Sequence, residues 1–168
     1  MIKPIDFTSD CANCAALCCL SLAFDQGDSF AHNKAAGTPC HNLSGFGCAI
    51  HKDLTSQGYS GCVAYQCLGA GQRVTALFDI TWRDDPKMTA PMMDAFRQMR
   101  AVQSVLQLLD AASALPLPTL QEQERRLWLN QLTPDHWTPR ALETFENEGV
   151  EAAIKTWLRG LAKFVPAA

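Results

Sequence analysis

Eight cysteines carry the chemistry this chain has to offer, and all of them lie between positions 11 and 67: Cys11, Cys14, Cys18, Cys19, Cys40, Cys48, Cys62 and Cys67. Thiolates bind zinc in sets of four, and Cys-x2-Cys is the spacing by which one tight turn presents two sulfurs to one ion. An even cysteine count can instead mean a disulfide framework, but that belongs to oxidising compartments. The first apolar stretch lies behind Asp6 and Asp10 and lacks a basic lead, unlike a secretory signal. The expected compartment is therefore the cytoplasm, where thiols stay reduced. Adjacent Cys18 and Cys19 would also have to staple two partners from one point. Small buried hydrophobes account for one or two free cysteines, not for eight in one segment.

Other donors are fewer. His51 follows Cys48 by three residues and is the histidine expected to join the ligands. His41 adjoins Cys40 and His32 sits in a polar loop; both read as exposed or capping histidines, and His136, beside Trp137, as structural. Asp10 and Asp25 are weaker carboxylate candidates. If residues 11 to 19 formed one helix, Cys11 and Cys18 would stand about 10 Å apart along its axis. Sulfurs around one tetrahedral zinc are only about 3.8 Å apart. Either Cys11-x2-Cys14 forms a knuckle before the helix, or the four cysteines divide between sites. Two four-thiolate zinc centres would each carry a formal charge of about −2. Lys3, Lys34 and Lys52 are the basic residues of the first 67 positions, so backbone N–H groups must supply much of the compensation. Glycines at 45, 47, 58, 61, 69 and 71 would let main chain come close to sulfur.

Zn²⁺ is thus the expected ion, with two alternatives. An iron–sulfur cluster also takes four thiolates, which fits twice into eight. Cu(I) suits thiolates and methionines, and Met88, Met92, Met93 and Met99 lie close together, although methionines at helical spacing usually fill cores. Ordinary catalysis has little support. Gly69-Ala70-Gly71 is too short for a dinucleotide fingerprint. Glu143, Glu146 and Glu151 read as an exposed helix face, and Asp84-Asp85 as a solvated turn. A Cys48 nucleophile with His51 as base is outweighed by ligation among so many thiols. No reaction is implied.

The elements that must position these groups divide the chain. Its 168 residues are 48% hydrophobic and 18% charged, the balance of a folded protein. A net charge of −3 disfavours nucleic acid as a general partner, and no apolar run approaches the ~20 residues of a membrane span. Behind the cysteines the sequence reads as helices. Thr89 caps a stripe of Met92, Phe96, Met99, Val102, Leu106 and Leu109, stopped by Leu115-Pro116-Leu117-Pro118. Thr119 with Glu122 has capping-box spacing ahead of Leu120, Leu127, Trp128 and Leu132. Thr133-Pro134 and Thr138-Pro139 each place proline at a helix start. Gly149 separates Leu142 and Phe145 from a last helix carrying Val150, Ile154, Trp157, Leu158 and Leu161. In front, Ala12 to Phe24 fits one helix, Tyr59 to Cys67 is ambiguous, and residues 25–48 read as loop. The expectation is a mainly α protein. An irregular, metal-organised module over residues 1–75 would share an interface with a helical bundle over 76–168, and the bundle could dock a protein partner.

The run Cys11-x2-Cys14-x3-Cys18-Cys19, then Cys40, Cys48-Ala49-Ile50-His51, Cys62 and Cys67, resembles the bacterial YkgJ-like cysteine-cluster family, a zinc- or iron-chelating domain. That family has two residues before its cysteine pair where this chain has three, and an Arg-Pro stretch where this chain has Gly58-Tyr59-Ser60-Gly61. Gly37-Thr38-Pro39-Cys40, Asn42-Leu43, Gly61-Cys62 and Cys67-x-Gly69-Ala70-Gly71-Gln72-x-Val74 are similar to the cysteine-rich N-terminal region of some bacterial pentapeptide-repeat proteins. No run of five-residue repeats follows here. The resemblance implies a metal-binding module formed by the eight cysteines, and no reaction.

Overall fold

The computed structural model describes residues 5–166; Lys3, one of the basic residues counted above, lies outside them. The described chain is mainly helical, with seven α-helices and one two-stranded ribbon. Its contacts divide it into two compact units, Thr8–Arg97 and Gln98–Ala168, the second joined by the N-terminal segment to Phe7. The division falls later than residue 75 because segment 76–97 packs with the cysteines. Trp82 is buried, and its indole N–H donates to the Ala15 carbonyl at 2.7 Å.

In the first unit, Asp10 caps a 3-10 turn at Cys11–Asn13, accepting the N–H groups of Ala12 and Asn13. Helix α1 is only Leu17–Ser21. The single helix expected from Ala12 to Phe24 does not form, because Ala16 turns left-handed (φ 55°) and resets the chain direction before α1. Two-residue strands β1 (Leu43–Ser44) and β2 (Gly47–Cys48) pair Leu43 with Cys48, their turn made by Gly45 at positive φ. Helices α2 (Ser60–Ala64) and α3 (Ala70–Thr75) follow, resolving the ambiguity of Tyr59 to Cys67 in favour of a helical turn.

Helix α4 (Thr89–Ala111) is preceded by a 3-10 turn at Pro86–Met88. Asp85 caps that turn by accepting from Lys87 N–H, so Thr89 lies inside the helix rather than at its cap. The expected stripe is real: Met92, Phe96, Met99, Val102, Leu106 and Leu109 are all buried. In the second unit, α5 (Thr119–Leu132) departs from expectation. Pro118 occupies the cap position and Thr119 makes no side-chain cap. Glu122 instead pairs with Arg125 at 2.7 Å and Arg126 at 2.8 Å. The buried face is Arg125, Leu129 and Leu132, while Leu120 and Leu127 are each 68% exposed. Arg125 tolerates burial because it also donates to the Leu109 carbonyl.

Thr133-Pro134 starts no helix; Thr133 Oγ1 donates to the Leu129 carbonyl and closes α5. Thr138 does cap α6 (Pro139–Asn147), accepting from Ala141 N–H, with Pro139 at the first position. Gly149, at φ 65°, leads into α7 (Val150–Gly160). Leu142, Phe145, Val150, Ile154 and Leu161 supply the apolar core of these last turns.

The two arginines beside Glu122, Arg125 above all, hold its carboxyl down to about 2. A lowered carboxyl pKa stabilises the fold above the unfolded value and loses that contribution as pH falls through the folded one. Glu122→Gln should therefore destabilise the protein by about 2 kcal/mol at pH 7. The difference from wild type should vanish as the pH falls toward 2. Denaturant titrations of both proteins across that range would show it, and a pH-independent difference would contradict it.

Candidate metal centre

The front unit concentrates its sulfur around α1. Cys11 and Cys14 lie before the helix and Cys18 and Cys19 on it, so one continuous helix does not carry all four. All eight cysteines are free thiols; Cys11 and Cys62 are exposed and the other six partly buried.

Two neighbourhoods meet at α1. In the first, Cys11, Cys14, Cys18 and Cys67 line one recess of about 20 Å³, room for a single water-sized guest. Gly71 closes its wall: a Cβ there would stand 2.6 Å from Cys14 Sγ and 4.0 Å from Cys67 Sγ. The N–H groups of Leu17 and Ala16 point at Cys14 sulfur, and Ser9 Oγ lies 3.1 Å from Cys67 Sγ. Burial pushes the Cys11 and Cys14 thiols up, and the nearby Cys18 and Cys67 add to the rise.

In the second neighbourhood, Cys40 N–H donates to the Cys19 carbonyl at 3.0 Å and Leu43 N–H to the Cys40 carbonyl, while Leu43 faces Cys48 across the β1–β2 ribbon. Cys62 sits one turn after Tyr59, its N–H bonded to the Tyr59 carbonyl. Burial raises the Cys62 thiol, and Cys18, Cys40 and Cys48 act on it in the same direction. The neighbourhoods touch where Cys18 Sγ and Cys19 Sγ stand 4.0 Å apart. The hydrogen bond between them lowers the Cys18 thiol and raises that of Cys19.

Backbone conformation follows the sulfurs. Among the described residues the non-glycine positions at positive φ are Ala16 and Leu68, two residues after Cys14 and one after Cys67. Such conformations cost about 1–3 kcal/mol and persist where surroundings demand them.

One buried cation serves this region. Lys34 is 6% exposed, and its ammonium donates to the carbonyls of Leu20, Leu22 and Ala35. Burial lowers its pKa, and Cys40, Cys19, Cys18 and Cys62 oppose that fall.

Of the remaining expected donors, Asp10 lines the same recess as Cys11, Cys14, Cys18 and Cys67. His51 opens an exposed 3-10 turn, His51–Asp53. Asp10 uses both carboxylate oxygens locally, Oδ2 accepting from Asn13 Nδ2 at 2.7 Å, and Asp25 is exposed. Sequence reading missed a pairing of His32 and His41. Their rings lie 3.8 Å apart, and both reach the hydroxyl of buried Tyr59, from His32 Nδ1 at 2.9 Å and His41 Nε2 at 3.3 Å. Phe24 stacks on Phe30 and meets His32 edge-on, fastening loop 24–32 beside Cys40. The only sequence signal for this cluster was His41 adjoining Cys40. Met92 and Met99 are fully buried in the α4 stripe.

Among the described residues, no three Cys, His, Asp or Glu side chains already stand as a ligating group. The donor chemistry and the recess suit a thiolate-bound ion; binding one would draw the sulfurs inward. Among the same residues no helix is long and apolar enough to cross a membrane.

The comparisons leave the family open. The uncharacterized protein YybG of Bacillus subtilis is 32% identical over 166 residues, covering 96% of this chain and 60% of that protein. The chain thus spans about 60% of its relative's length. No family model and no solved structure matches the chain.

Gly71 lies within α3, where alanine is ordinarily the better helix former by about 1 kcal/mol. Gly71→Ala should nevertheless destabilise the front unit by about 1–3 kcal/mol, because the new methyl displaces Cys14 sulfur. Faster alkylation of Cys14 should accompany the loss. A variant as stable as wild type would show that the recess is not held closed there.

Proposed function

We propose that Thr8–Arg97 is a thiolate metal-binding module in which Zn²⁺ cross-links the cysteine-bearing loops. The observation that carries this reading is the recess lined by Cys11, Cys14, Cys18 and Cys67 and walled by Gly71. Left-handed Ala16 and Leu68 beside Cys14 and Cys67 support it, as does the N–H pair aimed at Cys14 sulfur. The YkgJ-like pattern of the cysteines points the same way. Bound zinc would supply structural cross-linking, because metal affinity at such a site is folding free energy. The role is structural or storage, in a reducing cytoplasm where the thiols stay available.

Protein purified without oxygen should carry at least one zinc per chain and be colourless. Cys14→Ser or Cys18→Ser should release metal and unfold the front unit, seen as lost ellipticity and lost zinc together. Less than one metal per chain, with free thiols and an unchanged fold in both variants, would overturn the proposal. A brown preparation absorbing in the blue would replace zinc by an iron–sulfur cluster.

A further inference from the structure

We propose that the eight thiols form two separate four-thiolate sites: Cys11, Cys14, Cys18 and Cys67 in one, and Cys19, Cys40, Cys48 and Cys62 in the other. The inference rests on the zinc-module reading and deepens it by naming which sulfurs act together. The recess gathers the first set, with Gly71 against two of its members. The second set is strung on backbone contacts: Cys19 to Cys40, Cys40 to Leu43, and Leu43 across the ribbon to Cys48. Cys62 joins through Tyr59, whose hydroxyl reaches His41 next to Cys40.

Neighbouring positions on a helix diverge by about 100°. That divergence lets α1 give Cys18 to one site and Cys19 to the other. It also explains why an adjacent pair is useful, since one short helix supplies both sites without an intervening turn. The 4.0 Å sulfur separation is as short as within one tetrahedral site, so the two sites must abut at this pair.

Charge compensation differs between them. Ser9 and the N–H groups of Ala16 and Leu17 face the first set. The Lys34 ammonium acts on Cys19, Cys40 and Cys62 of the second, and on Cys18 at the seam. Lys34 donates to the Leu20 and Leu22 carbonyls at the end of α1, next to Cys19, and that placement makes it a positioning residue for the second site.

The test uses reduced, metal-free wild-type protein under nitrogen. Zn²⁺ is added in half-equivalent steps, each followed by a pulse of N-ethylmaleimide, intact mass measurement and fragmentation between Cys18 and Cys19. Species carrying eight, four and zero labels are expected, with saturation at two zinc ions per chain. In the four-label species the protected thiols should be one complete set. Protection of Cys18 together with Cys19 in that species, or saturation at one zinc, would overturn the grouping while leaving zinc binding intact. No protection at any zinc level would instead overturn the zinc reading itself. Lys34→Met should weaken zinc protection of the second set about tenfold or more and spare the first. Equal weakening of both would remove Lys34 from its assigned role.

Discussion

Eight thiols confined around one five-residue helix must find something that tolerates their proximity. Removing a sulfur from water disfavours its charged form, and a neighbouring thiolate disfavours it further. The two effects act together on Cys11, Cys14 and Cys62, whose thiols are all held up. The apolar core of the unit, with Leu17, Leu20, Tyr59, Val74 and Trp82 buried, imposes no such difficulty. The front unit resolves the tension with donors aimed at sulfur, one buried ammonium and room for a small guest.

The helical half was legible because its signals are local. The stripe from Met92 to Leu109 repeats at helical spacing, Thr138-Pro139 is a cap followed by a pre-set φ, and Gly149 supplies the positive φ that separates two helices. Failures there came from competition for the same side chain. Glu122 has the spacing to reach back to Thr119, yet two arginines one turn ahead offer stronger, charge-assisted bonds. Arg125 then takes an inward position that polarity alone assigns to Leu127.

In the front half the sequence announced which atoms matter but not their arrangement. The cysteine count and Cys-x2-Cys spacing singled out the thiols, and the axial distance from Cys11 to Cys18 left two arrangements, a knuckle before the helix or a division between sites. Alanine carries no signal for a left-handed conformation, so the position of that break was invisible. The Phe24, Phe30, His32, His41 and Tyr59 cluster brings together residues from separate loops, and no short-range pattern foretells such a contact. His51, singled out for its nearness to Cys48 in sequence, lies on an exposed turn.

Lys34 has a consequence beyond its burial. An ammonium owns three N–H bonds, and three carbonyls already accept from this one. None remains to reach a sulfur, so its influence on the thiols is purely that of a fixed point charge felt across a short gap. Solvent exchange and side-chain rotation cannot readily relax such a charge. An arginine, whose donors form a wide planar fork, could not be substituted into that compact cradle without turning some of them elsewhere.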